Sequence, residues 1–386
     1  MTEQTGDFIP IGEPDLSQTE VSAVAELISR GWLTRGPECQ AFEEEFRALV
    51  EGDYLLFVSS CTAALHLALL VHGIGPGSEV ILPSLTFAAT GHSVVQCGAL
   101  PVFAEVDPET YCLDPSHVES LIGPDTRALI AVHYGGHPAD LVCLRELAKK
   151  NGLALIEDAA HAIGAATAEG PVGRSGSTAC FSFYSNKNLT TSEGGMLTLP
   201  EKGMLERATR LSLHGIDKDA WRRFGKQSSF RYAVTEFGYK YNATDLMAAL
   251  GRAQLSRFGE MQSSREDAWR GYNERFAGES RITLPPEQPD ITHARHLYVI
   301  RLTDRGGTRR DEFVQNLRSR GIGATVHYDP LHLHPAYRDR FGTKEGMLPI
   351  TEDIADSLVS LPLHSRLTDE QVARVTGEVI GLLGKT

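Results

Sequence analysis

A short apolar run that ends in two carboxylates constrains the fold more than any other stretch of this chain. Residues 153–156 are Leu-Ala-Leu-Ile, and Glu157 and Asp158 follow directly. An apolar run without alternation predicts a strand that is buried on both faces, as in a parallel sheet. Asp158 would then lie at the carboxyl end of that strand, the edge at which open α/β sheets bind ligands. A second interpretation, that Asp158 only caps a helix over Ala159 and Ala160, stays open at this point.

Further strands and helices are predicted on both sides of this run. Residues 54–200 alternate short apolar strands with helices such as 140–150, a pattern typical of a largely parallel sheet flanked by helices. Two helices are predicted within residues 17–49. A long helix over residues 243–275 is predicted to lead out of this part of the chain.

With 386 residues the chain is long enough for two domains. We expect a large domain over residues 1–255 and a smaller α/β domain over residues 256–386. The predicted elements of the smaller domain are a strand at 296–302, a helix at 308–320, a strand near 323–328 and a final helix at 368–383. Residues 214–241 have little hydrophobic periodicity and predict a long loop, which in a compact domain usually carries function or forms an interface.

A lysine follows an aromatic, alternating segment. Residues 181–184 are Phe-Ser-Phe-Tyr and predict a strand that enters the core, with Lys187 at its end. Gly194 and Gly195 then allow the backbone to turn tightly. An ammonium at the mouth of a core strand is costly unless it is exposed, paired or chemically used. A solvated lysine is one interpretation, and a lysine held as an imine to pyridoxal phosphate is the other.

The same cofactor would give Asp158 a partner. A carboxylate at the end of a buried strand needs a cation or several hydrogen-bond donors. An aspartate beside the pyridine nitrogen of pyridoxal phosphate keeps that nitrogen protonated, and this preserves the ring as an electron sink.

Residues 59–62, Ser-Ser-Cys-Thr, form a candidate anion site. They separate a predicted strand at 54–58 from a predicted helix at 63–71. The free N–H groups and the dipole of a helix N-terminus favour a phosphate, although many such junctions are ordinary caps. Phe87 follows another predicted strand, where its ring could stack on a planar heterocycle or simply pack in the core.

In this order the motifs resemble the DegT/StrS family of nucleotide-sugar aminotransferases, over nearly the whole chain. The matching motifs are residues 31–37 (GWLTRGP), 59–66 (SSCTAALH), 73–80 (GIGPGSEV), 101–103 (PVF), 106–108 (VDP), 132–140 (VHYGGHPAD), 157–161 (EDAAH), 181–187 (FSFYSNK), 190–195 (TTSEGG), 239–245 (YKYNATD) and 323–328 (GATVHY). The resemblance implies a fold-type I pyridoxal phosphate enzyme, with a large domain built on a mostly parallel seven-stranded sheet and a smaller α/β domain at the C-terminus.

The resemblance also implies roles for individual residues around the cofactor. Lys187 matches the imine lysine that shuttles the proton, and Asp158 matches the partner of the pyridine nitrogen. Phe87 matches the aromatic ring that stacks on the cofactor. The residues that match the phosphate ligands are Cys61, Thr62 and Ser182.

Other matched positions concern the substrate and a second subunit. His161 falls near the cofactor's phenolic oxygen, where many relatives carry glutamine. Asn242 matches a phosphate ligand that reaches in from the neighbouring subunit, so the resemblance implies a homodimer with shared sites. Thr34, Lys240 and His327 are the candidate contacts to the sugar nucleotide.

The implied reaction moves an amino group from L-glutamate to a keto-sugar linked to a nucleoside diphosphate, with pyridoxamine phosphate as the intermediate form of the cofactor. The motifs at 192–195 and 239–242 resemble members that aminate C4 of a dTDP- or UDP-4-keto-6-deoxyhexose rather than C3. A related sugar dehydrase carries histidine in place of the lysine, and Lys187 argues against it. A regulator that binds the cofactor without catalysis is the alternative from another class.

Composition limits the possible partners. A net charge of −13 argues against a nucleic-acid or anionic-membrane surface. The six cysteines include no CxxC pair and predict reduced, packed thiols. The acidic start of the chain has no apolar core and predicts no signal peptide, so a cytoplasmic protein is expected.

Two local patterns indicate structural roles rather than binding sites, and the role of one cationic cluster stays open. Residues 73–77 contain three glycines but follow a helix, so they predict a helix end rather than a dinucleotide site. The histidines at 327, 332 and 334 lack a strong zinc spacing, and no metal is expected. The cationic residues Arg222, Arg223, Arg231 and Lys240 belong to the predicted loop. They form either a solvated face or a site for the substrate's diphosphate.

Overall fold

The computed structural model describes residues 8–217, 232–303 and 310–384. Its first nine strands are β1 (Tyr54–Val58), β2 (Glu79–Pro83), β3 (Leu100–Ala104), β4 (Thr126–Val132), β5 (Ala154–Asp158), β6 (Ala166–Thr167), β7 (Gly170–Pro171), β8 (Thr178–Ser182) and β9 (Gly195–Leu199). Seven of them form one sheet in the order β1-β9-β8-β5-β4-β2-β3. Strands β3, β2, β4, β5 and β8 pair in parallel, and β9 is antiparallel to both of its neighbours. The predicted seven-stranded, mostly parallel sheet is therefore confirmed.

Helices cover both faces of this sheet. The helices up to residue 276 are α1 (Gln18–Arg30), α2 (Pro37–Val50), α3 (Cys61–Val71), α4 (Ala88–Gln96), α5 (Pro115–Leu121), α6 (Leu141–Asn151), α7 (Lys202–Ser212), α8 (Asp245–Ser256) and α9 (Phe258–Phe276). Ile130 of β4 packs in the cluster that contains Leu65 of α3, whereas its neighbour Leu129 packs with Leu144 of α6. Both faces of the central strands are thus apolar, which explains why they show no alternation in the sequence.

The C-terminal part of the chain builds its own core. Its remaining elements are β10 (Ile282–Thr283), β11 (Tyr298–Leu302), α10 (Arg310–Ser319), α11 (Pro335–Phe341), α12 (Pro349–Ala355), β12 (Leu358–Leu361) and α13 (Asp369–Leu383). The three strands form an antiparallel sheet in the order β10-β11-β12. Tyr298 and Ile300 of β11 pack with Trp269 of α9 and Val375 of α13. The domain division at residues 255 and 256 stays a prediction.

Two predicted elements are wrong in detail. The helix predicted over 243–275 is two helices, because Arg257 leaves helical geometry (φ −108°, ψ 3°) between α8 and α9. The guanidinium of Arg257 turns to Glu20, with an Nη1–Oε1 distance of 3.0 Å. The strand predicted near 323–328 is absent from that range, where the pairing is reduced to a single bridge between Thr325 and Ser360. The amide of Gly323 instead donates to the carbonyl of Ile9 at 2.7 Å.

The structure also bears on membrane-spanning helices, on metal sites and on the predicted loop 214–241. Within the described residues, no helix is long and apolar enough to cross a membrane. The same residues contain no group of three or more His, Cys, Asp or Glu side chains that could hold a metal. Of the predicted loop 214–241, residues 218–231 lie outside the described residues, and Arg222, Arg223 and Arg231 lie there with them.

Candidate active site

Lys187 lies in a turn beyond the end of a strand rather than at the strand end predicted from the sequence. Strand β8 ends at Ser182, and the amide of Lys187 donates to the carbonyl of Tyr184 at 3.0 Å. The strand stops because Phe183 closes a loop: its amide donates to the Gly194 carbonyl at 3.0 Å, and its carbonyl accepts from the Thr191 amide at 2.9 Å. The turn brings Lys187 to the carboxyl edge of the parallel strands, where Asp158 ends β5.

The Lys187 amine is partly shielded from water and has a depressed pKa. Burial lowers the pKa of Lys187 to about 8, although the nearby Cys61 and Asp158 favour its charged form. Its Nζ atom lies 3.4 Å from Nε2 of His296. A sizeable fraction of this amine is therefore neutral near pH 8, the state in which it can act as a nucleophile or as a base.

Asp158 is a buried carboxylate that a cationic ring nitrogen would suit. It is 5 % exposed, its Oδ2 accepts from the Thr90 hydroxyl at 2.7 Å, and its Oδ1 accepts from the Ala160 amide at 3.2 Å. Burial raises the pKa of Asp158, and the Thr90 hydrogen bond opposes this effect. Residues 159–163 form turns rather than a helix, so the helix-cap interpretation of Asp158 is wrong. The carboxylate keeps the capacity to accept from a protonated pyridine.

The junction predicted to bind an anion is a helix N-terminus with a strand passing close beside it. Helix α3 begins at Cys61, and the hydroxyl of Ser60 caps it by accepting from the Ala63 amide at 3.1 Å. A side chain on Gly195 of β9 would place its Cβ 2.5 Å from the Ser60 carbonyl oxygen and 2.6 Å from the Cys61 nitrogen. Glycine is therefore required there for the strand to pass, and the amides of Cys61 and Thr62, in the first turn of α3, remain available to an anion.

Sheet register brings Ser182 to the same junction. Gly195 pairs with Ser182 on one side and with Val58 on the other, so these three residues lie in one row across β8, β9 and β1. Thr62 follows Cys61 in the first turn of α3 and is half-buried. The Cys61 thiol donates to the Cys180 carbonyl at 3.3 Å and thus packs inward. Its backbone amide, not its sulfur, is the group that could bind a phosphate.

His161 is neutral, and its hydrogen-bond partners determine which ring nitrogen carries the proton. Its Nδ1 accepts from the Gly135 amide at 3.3 Å, so the proton resides on Nε2, which lies 3.1 Å from the Tyr328 hydroxyl. Burial, followed by the charge of Lys187, lowers the pKa of His161 well below its usual value. The imidazole ring lies 4.5 Å from that of His296. The predicted position of His161 beside the cofactor site is consistent with this cluster.

Phe87 and His327 flank the same cluster. The Phe87 side chain is 61 % exposed, and its ring lies 5.9 Å from the Tyr328 ring, so it stands at the surface of the site rather than in the core. Nδ1 of His327 lies 2.8 Å from the Ser360 hydroxyl. Burial, followed by the charge of Lys187, lowers the pKa of His327 to about 4. Both residues therefore border the space around Lys187.

The remaining candidate residues are Asn242, Lys240 and Thr34. Asn242 bridges to Val58 at the end of β1, and Lys240 donates a hydrogen bond to its side-chain oxygen. Asn242 does not cap the helix that follows, because Thr244 takes that role by accepting from the Met247 amide at 3.3 Å. Lys240 and Thr34 are exposed. In the described part of the chain, no hydrogen bond or ion pair joins any of the three to the cluster around Lys187.

Four residues of the site were not singled out from the sequence: Thr90, Asn188, His296 and Tyr328. Tyr328 belongs to the motif at residues 323–328, and Asn188 adjoins Lys187, so position alone could have indicated both. His296 stands before a strand in a different part of the chain, and only the tertiary fold brings it to Lys187.

Comparison with known proteins identifies the family. The DegT/DnrJ/EryC1/StrS aminotransferase family matches residues 14–380. The chain belongs to this family. The spore coat polysaccharide biosynthesis protein SpsC of Bacillus subtilis is 40 % identical over 374 residues, which are 96 % of each chain.

Solved structures agree over the whole fold. DesV of S. venezuelae is 37 % identical, with a TM-score of 0.86 over 95 % of this chain and 94 % of that one. Spr1654 of Streptococcus pneumoniae, solved in a pyridoxamine phosphate form, is 31 % identical, with a TM-score of 0.91 over 98 % of this chain and 99 % of that one. A pyridoxal phosphate form of the same protein also matches. The predicted fold-type I class, the pyridoxal phosphate cofactor and the sugar aminotransferase activity are thus confirmed.

The residues of the site fit this cofactor. A helix N-terminus faced by glycine suits the phosphate, a buried carboxylate with a free acceptor position suits the pyridine nitrogen, and a lysine of lowered pKa suits the aldehyde. The role of each residue is a proposal.

Proposed function

We propose that this enzyme transfers the amino group of L-glutamate to C4 of a dTDP- or UDP-linked 4-keto-6-deoxyhexose. The observation that carries the proposal is the convergence of the Lys187 amine, whose pKa burial lowers to about 8, with the buried Asp158 carboxylate at the end of β5. The motifs at residues 192–195 and 239–242 support C4, because they resemble those of C4-acting members of the family. The relative SpsC, a spore coat polysaccharide biosynthesis protein, supports a carbohydrate substrate.

In this proposal each site residue has a separate task. Pyridoxal phosphate, when bound, supplies an electron sink for the charge that remains after a proton leaves the carbon that bears the nitrogen. Lys187 holds the cofactor and moves that proton. Asp158 supplies the negative charge opposite the pyridine nitrogen, and Thr90 holds that carboxylate in place by the 2.7 Å hydrogen bond.

The remaining residues bind and orient. The first-turn amides of α3, at Cys61 and Thr62, bind the phosphate together with Ser182. Phe87 would hold the cofactor ring by stacking, since its side chain is exposed at the border of the site, with its ring 5.9 Å from that of Tyr328. His161 lies beside the phenolic oxygen.

The substrate and the second subunit complete the proposed site. His327, Lys240 and Thr34 contact the sugar nucleotide. Asn242 reaches the phosphate of the cofactor bound by a second copy of the chain, so the working unit is a homodimer with two shared sites. The exposed Lys240, whose amine is bonded to Asn242, would bring a positive charge to the same interface.

The proposed function is tested by a screen of substrates. The purified enzyme is incubated with L-glutamate and a panel of 4-keto and 3-keto sugars carried by dTDP or UDP, and products are read by mass spectrometry. A 4-amino sugar nucleotide is the expected product, with release of 2-oxoglutarate in equal amount. Exclusive formation of 3-amino products would place the enzyme in the alternative, C3-acting class. Binding of the cofactor without turnover of any substrate or of glutamate would indicate a regulator and contradict the proposal.

A further inference from the structure

One asparagine joins the turn that carries Lys187 to the segment before β11. The side-chain nitrogen of Asn188 donates to the carbonyl of Ala294 at 2.6 Å, and its Oδ1 lies 3.0 Å from Nδ1 of His296. The Ala294 carbonyl can only accept, so the amide nitrogen of Asn188 must face it. The amide oxygen must therefore face His296, and Nδ1 of His296 must carry the proton that this oxygen accepts.

This arrangement leaves one lone pair of His296 directed at the lysine. Burial, followed by the charge of Lys187, lowers the pKa of His296 well below its usual value, so the ring is neutral and carries a single N–H. With that proton on Nδ1, Nε2 is an acceptor, and it lies 3.4 Å from Nζ of Lys187. Among the described residues, His296 is the one hydrogen-bond partner of this amine.

The backbone holds His296 in this position. Its amide donates to the Gly135 carbonyl at 3.2 Å, and the Ala294 amide donates to the Gly136 carbonyl at 2.9 Å. Gly136 has a φ of +104°, and a Cβ there would lie 3.0 Å from the His161 carbonyl oxygen. The imidazole is 5 % exposed. The acceptor is therefore built into the framework of the site and does not depend on a mobile side chain.

We propose that His296 is the acceptor that holds the Lys187 amine whenever the lysine is not bonded to the cofactor, and that Asn188 fixes the tautomer that this requires. The inference rests on the proposed role of Lys187. It involves no covalent step: the amine donates a hydrogen bond to Nε2 and withdraws it when the lysine returns to the cofactor. His296 is a positioning residue, because it acts through Lys187.

Other titratable groups act on the same two residues. The groups that influence the pKa of Lys187 or His296 are Asp158, Cys61, His161, His327 and Arg265. Asp158 favours the charged lysine, whereas the histidines and Arg265 disfavour any further positive charge on His296. None of these groups replaces a neutral acceptor next to Nζ, so removing the His296 acceptor should lower the pKa of Lys187.

The tautomer is tested first, without reference to activity. The full chain with labelled histidine is loaded with pyridoxamine phosphate, in which the lysine is free, and nitrogen NMR reports which ring nitrogen of His296 carries a proton. The His296→Gln variant assigns the resonances. We expect a protonated Nδ1 and an unprotonated Nε2 near pH 8, and loss of this preference in Asn188→Leu. A protonated Nε2 or a doubly protonated ring in the wild type would overturn the proposal.

The effect on the lysine is tested by competitive labelling with acetic anhydride, read by mass spectrometry on the same form of the enzyme. The wild-type amine should titrate below the usual range of a lysine side chain, because the amine is buried. His296→Leu should move this midpoint down by about half a unit or more, the size of one lost hydrogen bond. His296→Gln, which keeps an acceptor, should stay close to the wild type. An unchanged or raised midpoint in His296→Leu would contradict the proposal.

A control variant removes a half-buried histidine elsewhere in the fold. His72 lies at the opposite end of α3 from the Cys61 junction, and its Nε2 is 2.9 Å from the Thr178 hydroxyl. His72→Leu should leave the midpoint of Lys187 unchanged.

In the half-reaction with L-glutamate, His296→Leu should slow the limiting rate about tenfold and leave the apparent affinity for glutamate unchanged. Equal effects of the two leucine variants would indicate a packing role only.

The proposal and the proposed function fail in different ways. If Lys187→Ala retained full transamination, the role of the lysine would be wrong, whatever tautomer His296 adopts. If Lys187→Ala were inactive but His296→Leu matched the wild type in both midpoint and rate, only the role of His296 would be wrong.

Discussion

Thr90, on α4, donates a 2.7 Å hydrogen bond from its hydroxyl to Oδ2 of Asp158 at the end of β5. This contact holds a buried carboxylate whose pKa burial alone would raise further. Thr90→Val keeps the shape of the side chain and removes the donor. We expect the acid limb of the pH–rate profile to move to higher pH and the half-reaction at neutral pH to slow about tenfold. Thr90→Ser should retain both values, and a Thr90→Val variant with an unshifted acid limb would contradict this account of Asp158.

Asp158→Asn tests the carboxylate itself. Without the negative charge, the pyridine nitrogen of the bound cofactor should lose its proton, and the half-reaction with L-glutamate should slow by about two orders of magnitude or more. The fold should persist, because the single side-chain oxygen of asparagine can still accept from the Ala160 amide, and its Nδ2 can donate to the Thr90 hydroxyl, which is able to accept. Stopped-flow spectroscopy of the cofactor gives the rate, and circular dichroism checks the fold. Near-normal rates with normal cofactor affinity would reduce Asp158 to a turn residue.

The lowered pKa of Glu20 leads to a prediction of how the stability of the fold depends on pH. It is 2 % exposed, and although burial opposes its charged form, hydrogen bonds from Ser17 and Gln254 lower its pKa from 4.5 to about 2. Because the pKa of Glu20 is lower in the folded chain than in the unfolded chain, its charged form stabilises the fold by about 3 kcal/mol. This contribution is complete above pH 4.5 and is lost as the pH falls toward 2. Glu20→Gln should therefore reduce the free energy of unfolding by about 2 to 4 kcal/mol at pH 7.

The control for this prediction lies on the same helix. Glu26 forms an exposed pair with Arg30, and such pairs contribute little, so Glu26→Gln should change the unfolding free energy by less than about 1 kcal/mol. Urea denaturation between pH 3 and pH 7 provides the comparison. The deficit of Glu20→Gln should shrink below pH 4.5, and a deficit that stays constant with pH would show that the charge of Glu20 is not its cause.

Shared sites are tested by mixing two impaired variants. Asn242→Ala and Lys187→Ala are purified separately and then allowed to exchange subunits. If Asn242 completes the site of a second chain, one site of each heterodimer carries both changes and the other carries neither, so activity should return to as much as about a quarter of the wild-type value after random exchange. Native mass spectrometry verifies the exchange. Activity that stays at the level of the two separate variants after exchange would refute the shared site.

The sequence predicted the sheet and its ligand edge well, because these depend on local patterns. An apolar run without alternation indicated a buried parallel strand, and β5 ends at Asp158 as expected. The end of β8 was predicted too late in the chain. The alternating aromatic residues 181–184 resemble a continuous strand, but Phe183 already belongs to a loop that its hydrogen bond to Gly194 closes. His296 was missed for a different reason. Its contact with Lys187 spans more than a hundred residues of chain and depends on Asn188 and on the glycine loop at 135–136, which no local pattern reveals.

Replacement of Lys187 by alanine tests the central claim most directly. Lys187→Ala removes the amine but keeps the phosphate junction and Asp158, so it should still bind pyridoxal phosphate or pyridoxamine phosphate while amino transfer from L-glutamate falls by at least about a thousandfold. Lys150→Ala, which removes only an exposed pair with Glu119, is the matched control and should behave as the wild type. The measurement is the rate of formation of 2-oxoglutarate and amino sugar nucleotide, with bound cofactor quantified by mass spectrometry. A cofactor-loaded Lys187→Ala variant that kept most of the wild-type rate would contradict the account.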